Sequence, residues 1–343
     1  MQKSRKDAVE ILANLMRLQS DFIFDALKNR NYQQILIPKR SGDVRKLHAP
    51  GEELKLVQEV ILQFLYRWKV DARQFGFVLG GSPIRNAKYH IRNEFYVPHW
   101  VLKLDLENAF PSVTSTVLRK EYTRVFNPET FKELSGIDEK QFTAFIQLML
   151  DLTTYRERLP QGSPCSPYLL NLVLVWTGVT KGVLEYCEKK GLRASLYGDD
   201  FTISAKTSNM WFSKTFFRKI NSAVSRSGCL RLNHDKTHLI CSRNSAPIIT
   251  GVKITESHDN GAKLTLTQST LNHWRGVIHR VTEILYWNNR LPRLEQDGVT
   301  FNQALGYVNW IEDVYRESEV PLSVRKPIKS FKVQSSRFDR RRG

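Results

Sequence analysis

Three aspartates frame the chemistry open to this chain. Leu196-Tyr197-Gly198-Asp199-Asp200-Phe201 sets two adjacent carboxylates between apolar, β-prone flanks. Aspartate is poor in strand interiors and good in turns, so the segment predicts a hairpin with its acids at the tip. A charged tip held by two buried strands is costly unless a cation sits there. Mg²⁺, bound by a few carboxylates and substrate phosphates, suits such a tip; a solvated surface turn is the plainer alternative. The third acid is Asp105, in Val101-Leu102-Lys103-Leu104-Asp105-Leu106-Glu107-Asn108-Ala109-Phe110. Apolar residues run up to it, which places it at a strand end where a loop begins; alone it reads more often as a satisfied structural acid. Three such carboxylates together are what two-metal phosphoryl transfer requires, with cations about 3.5–4 Å apart serving the attacking hydroxyl and the leaving pyrophosphate. Acids packed that closely repel, and only cations make the cluster tolerable.

The elements that must position these acids follow from periodicity. Apolar residues from Val9 to Leu27 predict an amphipathic helix over 6–30. Segments 34–38 and 44–48 read as two strands around the turn Lys39-Arg40-Ser41-Gly42-Asp43, and a helix follows over 52–69. Residues 96–106 predict the strand that carries Asp105. Helices are expected over 114–126, 138–153 and 168–189, with strand-like segments at 193–204, 229–241 and 248–254. Beyond 268 the pattern is helical, with Trp274, Ile278, Val281 and Leu285 in register.

Bulk composition narrows the partners. The chain has 343 residues and a formal net charge of +18, which points to a polyanion, nucleic acid first, with a membrane-surface binder as the rival. No run approaches the ~18 apolar residues of a spanning helix, and the charged start does not read as a signal peptide. Four cysteines without a CxxC pair predict reduced thiols in a cytoplasmic protein, with no zinc site. Residues 325–343 carry eight basic side chains and one acid, and read as a mobile, phosphate-seeking tail or a merely solvated terminus.

Taken in order, the motifs resemble those of a reverse transcriptase. Asp105 followed five residues later by Phe110 is similar to that family's motif A. Leu159-Pro160-Gln161-Gly162-Ser163-Pro164 is similar to motif B, Tyr197-Gly198-Asp199-Asp200 to motif C, and Lys236 to the lysine of motif D. The resemblance implies an α+β right-hand polymerase with fingers, a palm of antiparallel sheet plus helices, and a helical thumb. It implies a helical N-terminal extension (1–30), first fingers part (31–95), palm with motif A (96–113), fingers and palm helices (114–158), remaining palm (159–255), thumb (256–324) and basic tail (325–343).

The same resemblance assigns roles. Asp105, Asp199 and Asp200 would hold two Mg²⁺ ions, Mn²⁺ being the alternative, with Leu106 beside them. Arg45 and Lys39 resemble the fingers residues that grip the triphosphate of a dNTP; an ordinary basic hairpin is the plainer reading. Lys236 is a candidate proton donor to pyrophosphate or a solvated lysine. RNA-copying RNA polymerases share Gly-Asp-Asp but place an acid where Phe110 stands. A ring there excludes the ribose 2′-OH, so Phe110 with Gln161 and Gly162 favours deoxynucleotides; plain core packing of Phe110 is compatible.

Asn86-Ala87-Lys88-Tyr89-His90 resembles the NAxxH element of retron reverse transcriptases, and Ile249-Thr250-Gly251 their Val-Thr-Gly element. Gly198 departs from the Ala usual in retron enzymes. The retron resemblance implies a dedicated non-coding RNA as template and primer, a 2′-OH-primed branched RNA–DNA product (msDNA), and antiphage defence with a toxic effector protein. Asn86, His90, Arg275, Arg280 and Arg290 are the expected RNA contacts, with a core or capping role as the alternative for His90. A different small defence reverse transcriptase, or a scaffold holding an RNA–DNA hybrid that sequesters an effector, are the competing functions.

Overall fold

The computed structural model describes residues 2–38, 42, 44–91, 97–206, 212–257, 261–288, 300–316 and 318–340. In chain order the elements begin with α1 (Gln2–Met16), α2 (Ser20–Lys28), β1 (Tyr32–Pro38), β2 (Val44–Pro50), α3 (Glu52–Leu65) and α4 (Pro83–Tyr89). Then come β3 (Trp100–Leu106), α5 (Ala109–Ser112), α6 (Ser115–Val125), α7 (Glu139–Thr153), α8 (Ser166–Trp176) and α9 (Val179–Lys189). β4 (Arg193–Tyr197), β5 (Asp200–Ala205), α10 (Lys214–Ser225), β6 (Leu232–Cys241), β7 (Ile248–Ile249), β8 (Val252–Ser257) and β9 (Gly261–Thr265) follow. The last described elements are α11 (Gln268–Asn288), α12 (Phe301–Val314) and α13 (Leu322–Arg340). Helices and antiparallel hairpins in these proportions give the expected α+β class. No single helix among the described residues is long and apolar enough to cross a membrane.

The chain divides into two compact units, Met1–Gly81 with Leu102–Leu239, and Ser82–Val101 with Ile240–Gly343. In the first, a sheet in the order β4-β5-β3-β6 forms the floor. The antiparallel β4–β5 pair sets Tyr197 opposite Asp200, so Gly198 and Asp199 form a two-residue tip. Gly198 takes φ +65, a conformation open to glycine at no steric cost and suited to the first central position of a tight hairpin. α8 is buried nearly all round, its Tyr168 to Leu174 lying inside, as expected of a helix apolar on every face. α7 starts with a reciprocal capping box between Asp138 and Gln141 and buries Phe145, Ile146, Met149 and Leu152.

Two expected helices are broken. The 6–30 segment splits because Arg17 turns to φ +55, and the Leu18 N–H closes onto the Ala13 carbonyl at 2.9 Å. The 168–189 segment splits where Gly178 takes φ +77. In both cases one left-handed residue ends a helix whose apolar period continues beyond it.

The second unit packs β7-β8-β9 and the last three helices around Ile249, Val252, Ile254, Leu264, Ile278, Val308 and Phe331. Residues 325–340 of the basic segment, read from sequence as a mobile or merely solvated tail, belong instead to α13, packed on α11. Val324, Ile328 and Phe331 recur at helical spacing and are buried. Each such side chain contributes about 1.5–3 kcal/mol of burial, enough to hold the helix despite its charge.

Candidate active site

β3 alternates as a half-buried strand should: Leu102, Leu104 and Leu106 are buried, while Lys103 and Asp105 share the other, partly exposed face. The strand ends against the β4–β5 hairpin, with the Leu106 N–H donating to the Asp199 carbonyl at 3.1 Å. That backbone bond brings Asp105 beside the hairpin acids, close enough for its charge to act on both Asp199 and Asp200. Leu106 thus belongs to the site through its backbone, its side chain being core.

The electrostatics are those of acids short of a cation. Burial, then the neighbouring charges of Asp199 and Asp105, pushes the Asp200 carboxyl up to about 6. Asp200 is exposed at the rim as well as crowded by protein atoms, and solvent there tempers the rise. Asp199 is raised too, mainly by burial and next by Asp105, with Arg45 and Lys236 pulling the other way. Lys103, which sequence reasoning passed over, is lowered by burial and held up by Asp200; strand alternation with Asp105 is the signal that marks it.

Lys236 Nζ lies 3.0 Å from Asp105 Oδ2, with side-chain exposures of 61% and 17%. No group of three or more His, Cys, Asp or Glu side chains among the described residues is arranged as a metal cage; Asp105 is instead paired with the Lys236 ammonium. That ammonium is a stand-in cation, and the oxygen-only donors of Asp105, Asp199 and Asp200 suit Mg²⁺. In donor chemistry, though not as a preformed cage, these residues fit the metals implied for them.

Around this centre the predicted nucleotide residues fall in the same unit. Arg45, on exposed β2 opposite Ile37, is near enough to act on Asp199. The Gln161 carbonyl accepts the His48 N–H at 2.7 Å, which seats β2 on the Gln161–Gly162 loop. Gly162 has φ +126, and a Cβ there would meet the His48 carbonyl oxygen at 2.9 Å. Glycine is thus required by the close approach of two backbones. A buried chain supports the loop from below, Ser163 Oγ donating to Gln58 Oε1 at 2.6 Å and Gln58 Nε2 to the Leu152 carbonyl at 2.8 Å. Phe110 sits on α5, 8% exposed. Lys39 and Arg290 lie outside the described residues.

The expected RNA contacts divide. Arg275 and Arg280 are exposed on α11 of the second unit. Asn86 and His90, at 0% and 2% exposure, are interior residues of that unit, so a direct RNA contact by either is corrected to an internal, structural placement. The cause is α4, which turns Asn86 and Ala87 inward together with the core around Ile249 and Ile254.

Residues 37–284, well over half of the chain, match the family described as Reverse transcriptase (RNA-dependent DNA polymerase). The retron Ec86 reverse transcriptase of Escherichia coli is 25% identical over 335 residues, covering 95% of this chain and 92% of that protein. The retron Mx65 reverse transcriptase of Myxococcus xanthus is 27% identical over 259 residues, 73% of this chain. The chain spans only 56% of that relative's length. Among solved structures, apo telomerase from Candida Tropicalis aligns with a TM-score of 0.49 and 12% identity, over 94% of this chain and 63% of that one. Reverse transcriptases generally use divalent metal ions, in keeping with the acids gathered at the hairpin. The chain therefore belongs to the reverse transcriptase family of RNA-dependent DNA polymerases, and its likeness to a retron enzyme extends over nearly its whole length.

Proposed function

We propose that this protein copies a dedicated non-coding RNA into DNA by nucleotidyl transfer at Asp105, Asp199 and Asp200. The observation that carries the reading is the convergence of these three carboxylates with Arg45 and Lys236 in one unit. The acids would hold two Mg²⁺ ions, which would supply charge stabilisation for the nucleotidyl transfer. Arg45 holds the triphosphate of the incoming dNTP, a task suited to a guanidinium because charge develops on the transferring phosphoryl group. Lys236 gives up its proton to the departing pyrophosphate. Phe110 closes the space a ribose 2′-OH would need, and Gln161 with Gly162 lines the nucleotide site.

The net charge of +18 supports an RNA template and an RNA–DNA hybrid as partners. Likeness to retron enzymes supports a 2′-OH-primed branched product, cytoplasmic action, and a defence role with a toxic effector. The test is to purify the protein with its bound RNA, add dNTPs and Mg²⁺, and sequence the product. DNA joined to an internal 2′-OH of the RNA is expected, and none from the Asp199→Ala, Asp200→Ala protein. Concatemeric or random DNA would instead favour another class of defence reverse transcriptase. Synthesis that survives the double substitution would remove the catalytic assignment.

A further inference from the structure

The Asp199–Asp200 hairpin is flanked by a short segment outside the named strands. The Leu196 N–H donates to the Arg73 carbonyl at 3.0 Å and the Phe75 N–H to the Leu196 carbonyl at 2.8 Å. Gln74 thereby pairs with Leu196 as an isolated parallel bridge. Just beyond, the backbones touch: a Cβ on Gly76 would lie 2.4 Å from the Gly198 nitrogen, and one on Gly198 would lie 2.8 Å from the Phe77 ring. Phe77 itself is held at φ +58, a strained backbone that its surroundings must impose.

What imposes it is a pair of buried amides. Asn171, fully buried on α8, donates from Nδ2 to the Gly76 carbonyl at 2.7 Å. Its Oδ1 and its backbone carbonyl each accept from Gln74 Nε2 at 3.3 Å. Gln74, 2% exposed, completes its own bonding by accepting the Asp71 N–H at 2.9 Å. Satisfied buried amides select one arrangement, because any shift leaves a buried donor or acceptor unpaired. α8 also starts just after the Gln161–Gly162 loop, so one rigid element meets both the nucleotide loop and the support of the metal hairpin.

We infer that Asn171 is a positioning residue, setting through Gly76 and Gln74 where Asp199 and Asp200 stand relative to Asp105. The inference rests on the polymerase reading above. It also bears on Gly198 where retron enzymes usually carry Ala: here the φ of +65 disfavours any side chain, and a methyl group would push against the Phe77 ring.

The test uses the full chain with its RNA. Asn171→Asp keeps the shape but removes the donor to Gly76, and Gln74→Leu breaks the same support from a different element. Primer extension is read as kcat and dNTP KM across Mg²⁺ concentrations, beside RNA affinity, melting temperature and amide exchange. A misplacement of about 1 Å costs on the order of 100-fold in rate, so kcat should fall about 10–100-fold. RNA affinity and dNTP KM should stay within about threefold, since neither contact is touched. Half-maximal Mg²⁺ should rise on the order of tenfold, and the Phe75 and Leu196 amides should exchange faster even without metal. A kcat within about twofold of the unaltered protein in either folded variant would overturn the inference. So would a loss that only follows the folded fraction. If the unaltered protein fails to extend a primer, the polymerase reading falls by itself. The tether is then judged by Mg²⁺ titration and amide exchange of the same variants, where unchanged values overturn it.

Discussion

Lys236 and Asp105 form an ion pair of 3.0 Å across the mouth of the catalytic acids, the lysine largely in solvent and the aspartate largely out of it. The lysine occupies ground a cation would take, so under the proposed mechanism it would compete with metal at rest and serve the leaving group during turnover.

Lys236→Ala is therefore expected to move two quantities in opposite directions. Removing a general acid lowers kcat by about 100-fold or more, while metal binding tightens. The gain is small, under about fivefold, because an exposed pair contributes at most ~1 kcal/mol. Single-turnover rates and Mg²⁺ titration check this; a variant that binds metal more weakly would show that Lys236 supports the site instead of competing for it.

Metal and proton compete at Asp200. A carboxyl raised in the folded state to about 6 stabilises the fold below its unfolded value of about 3.9, and that contribution is lost as pH rises through about 6. Mg²⁺ replaces the proton only above that window. The rise in melting temperature on adding Mg²⁺, relative to chelator, is expected to be larger near pH 7.5 than near pH 5. Equal rises at both would mean that these acids do not hold the metal.

Phe110→Val opens space beside the sugar. The preference for dNTPs over rNTPs, measured as a ratio of kcat/KM values, should fall at least about tenfold. Valine is chosen because full truncation of a buried ring costs about 3–5 kcal/mol of stability. An unchanged ratio in a folded variant would reduce Phe110 to core packing.

The helix α13 gives a prediction about stability alone. Phe331→Ala should destabilise its unit by about 3–5 kcal/mol, whereas Lys326→Gln on the exposed face should stay within about 0.5 kcal/mol. Urea unfolding followed by a probe in this unit compares the two. Equal effects would mean that the segment is not anchored by its apolar face.

The sequence made the acids legible because chemistry needs particular side chains at particular places. Asp105 near a strand end and an acid at the hairpin tip follow from strand periodicity and turn preference; the structure puts Asp199 at that tip and Asp200 one step on, as the first residue of β5. The breaks at Arg17 and Gly178 were not legible, since one left-handed residue interrupts a helix without disturbing its apolar period. In 325–343 charge masked the periodic Val324, Ile328 and Phe331, of which only the last two fall inside the expected tail. The Arg73–Phe77 support was hidden for another reason. It works through backbone hydrogen bonds and two glycine approaches, which leave little trace in residue types.

The seam between Gly162 and His48 has a mechanical meaning. Two backbones in contact, joined by the 2.7 Å bond from His48 to Gln161, act as a fulcrum at the root of β2. Any swing of the β1–β2 hairpin must pivot beyond that point. Val44, four residues outward, is then carried on an arm of ~13 Å at ~3.3 Å per residue. Arg45 rides near its end, so a small rotation at the fulcrum becomes a large displacement of the guanidinium, while the loop that holds Gln161 stays still.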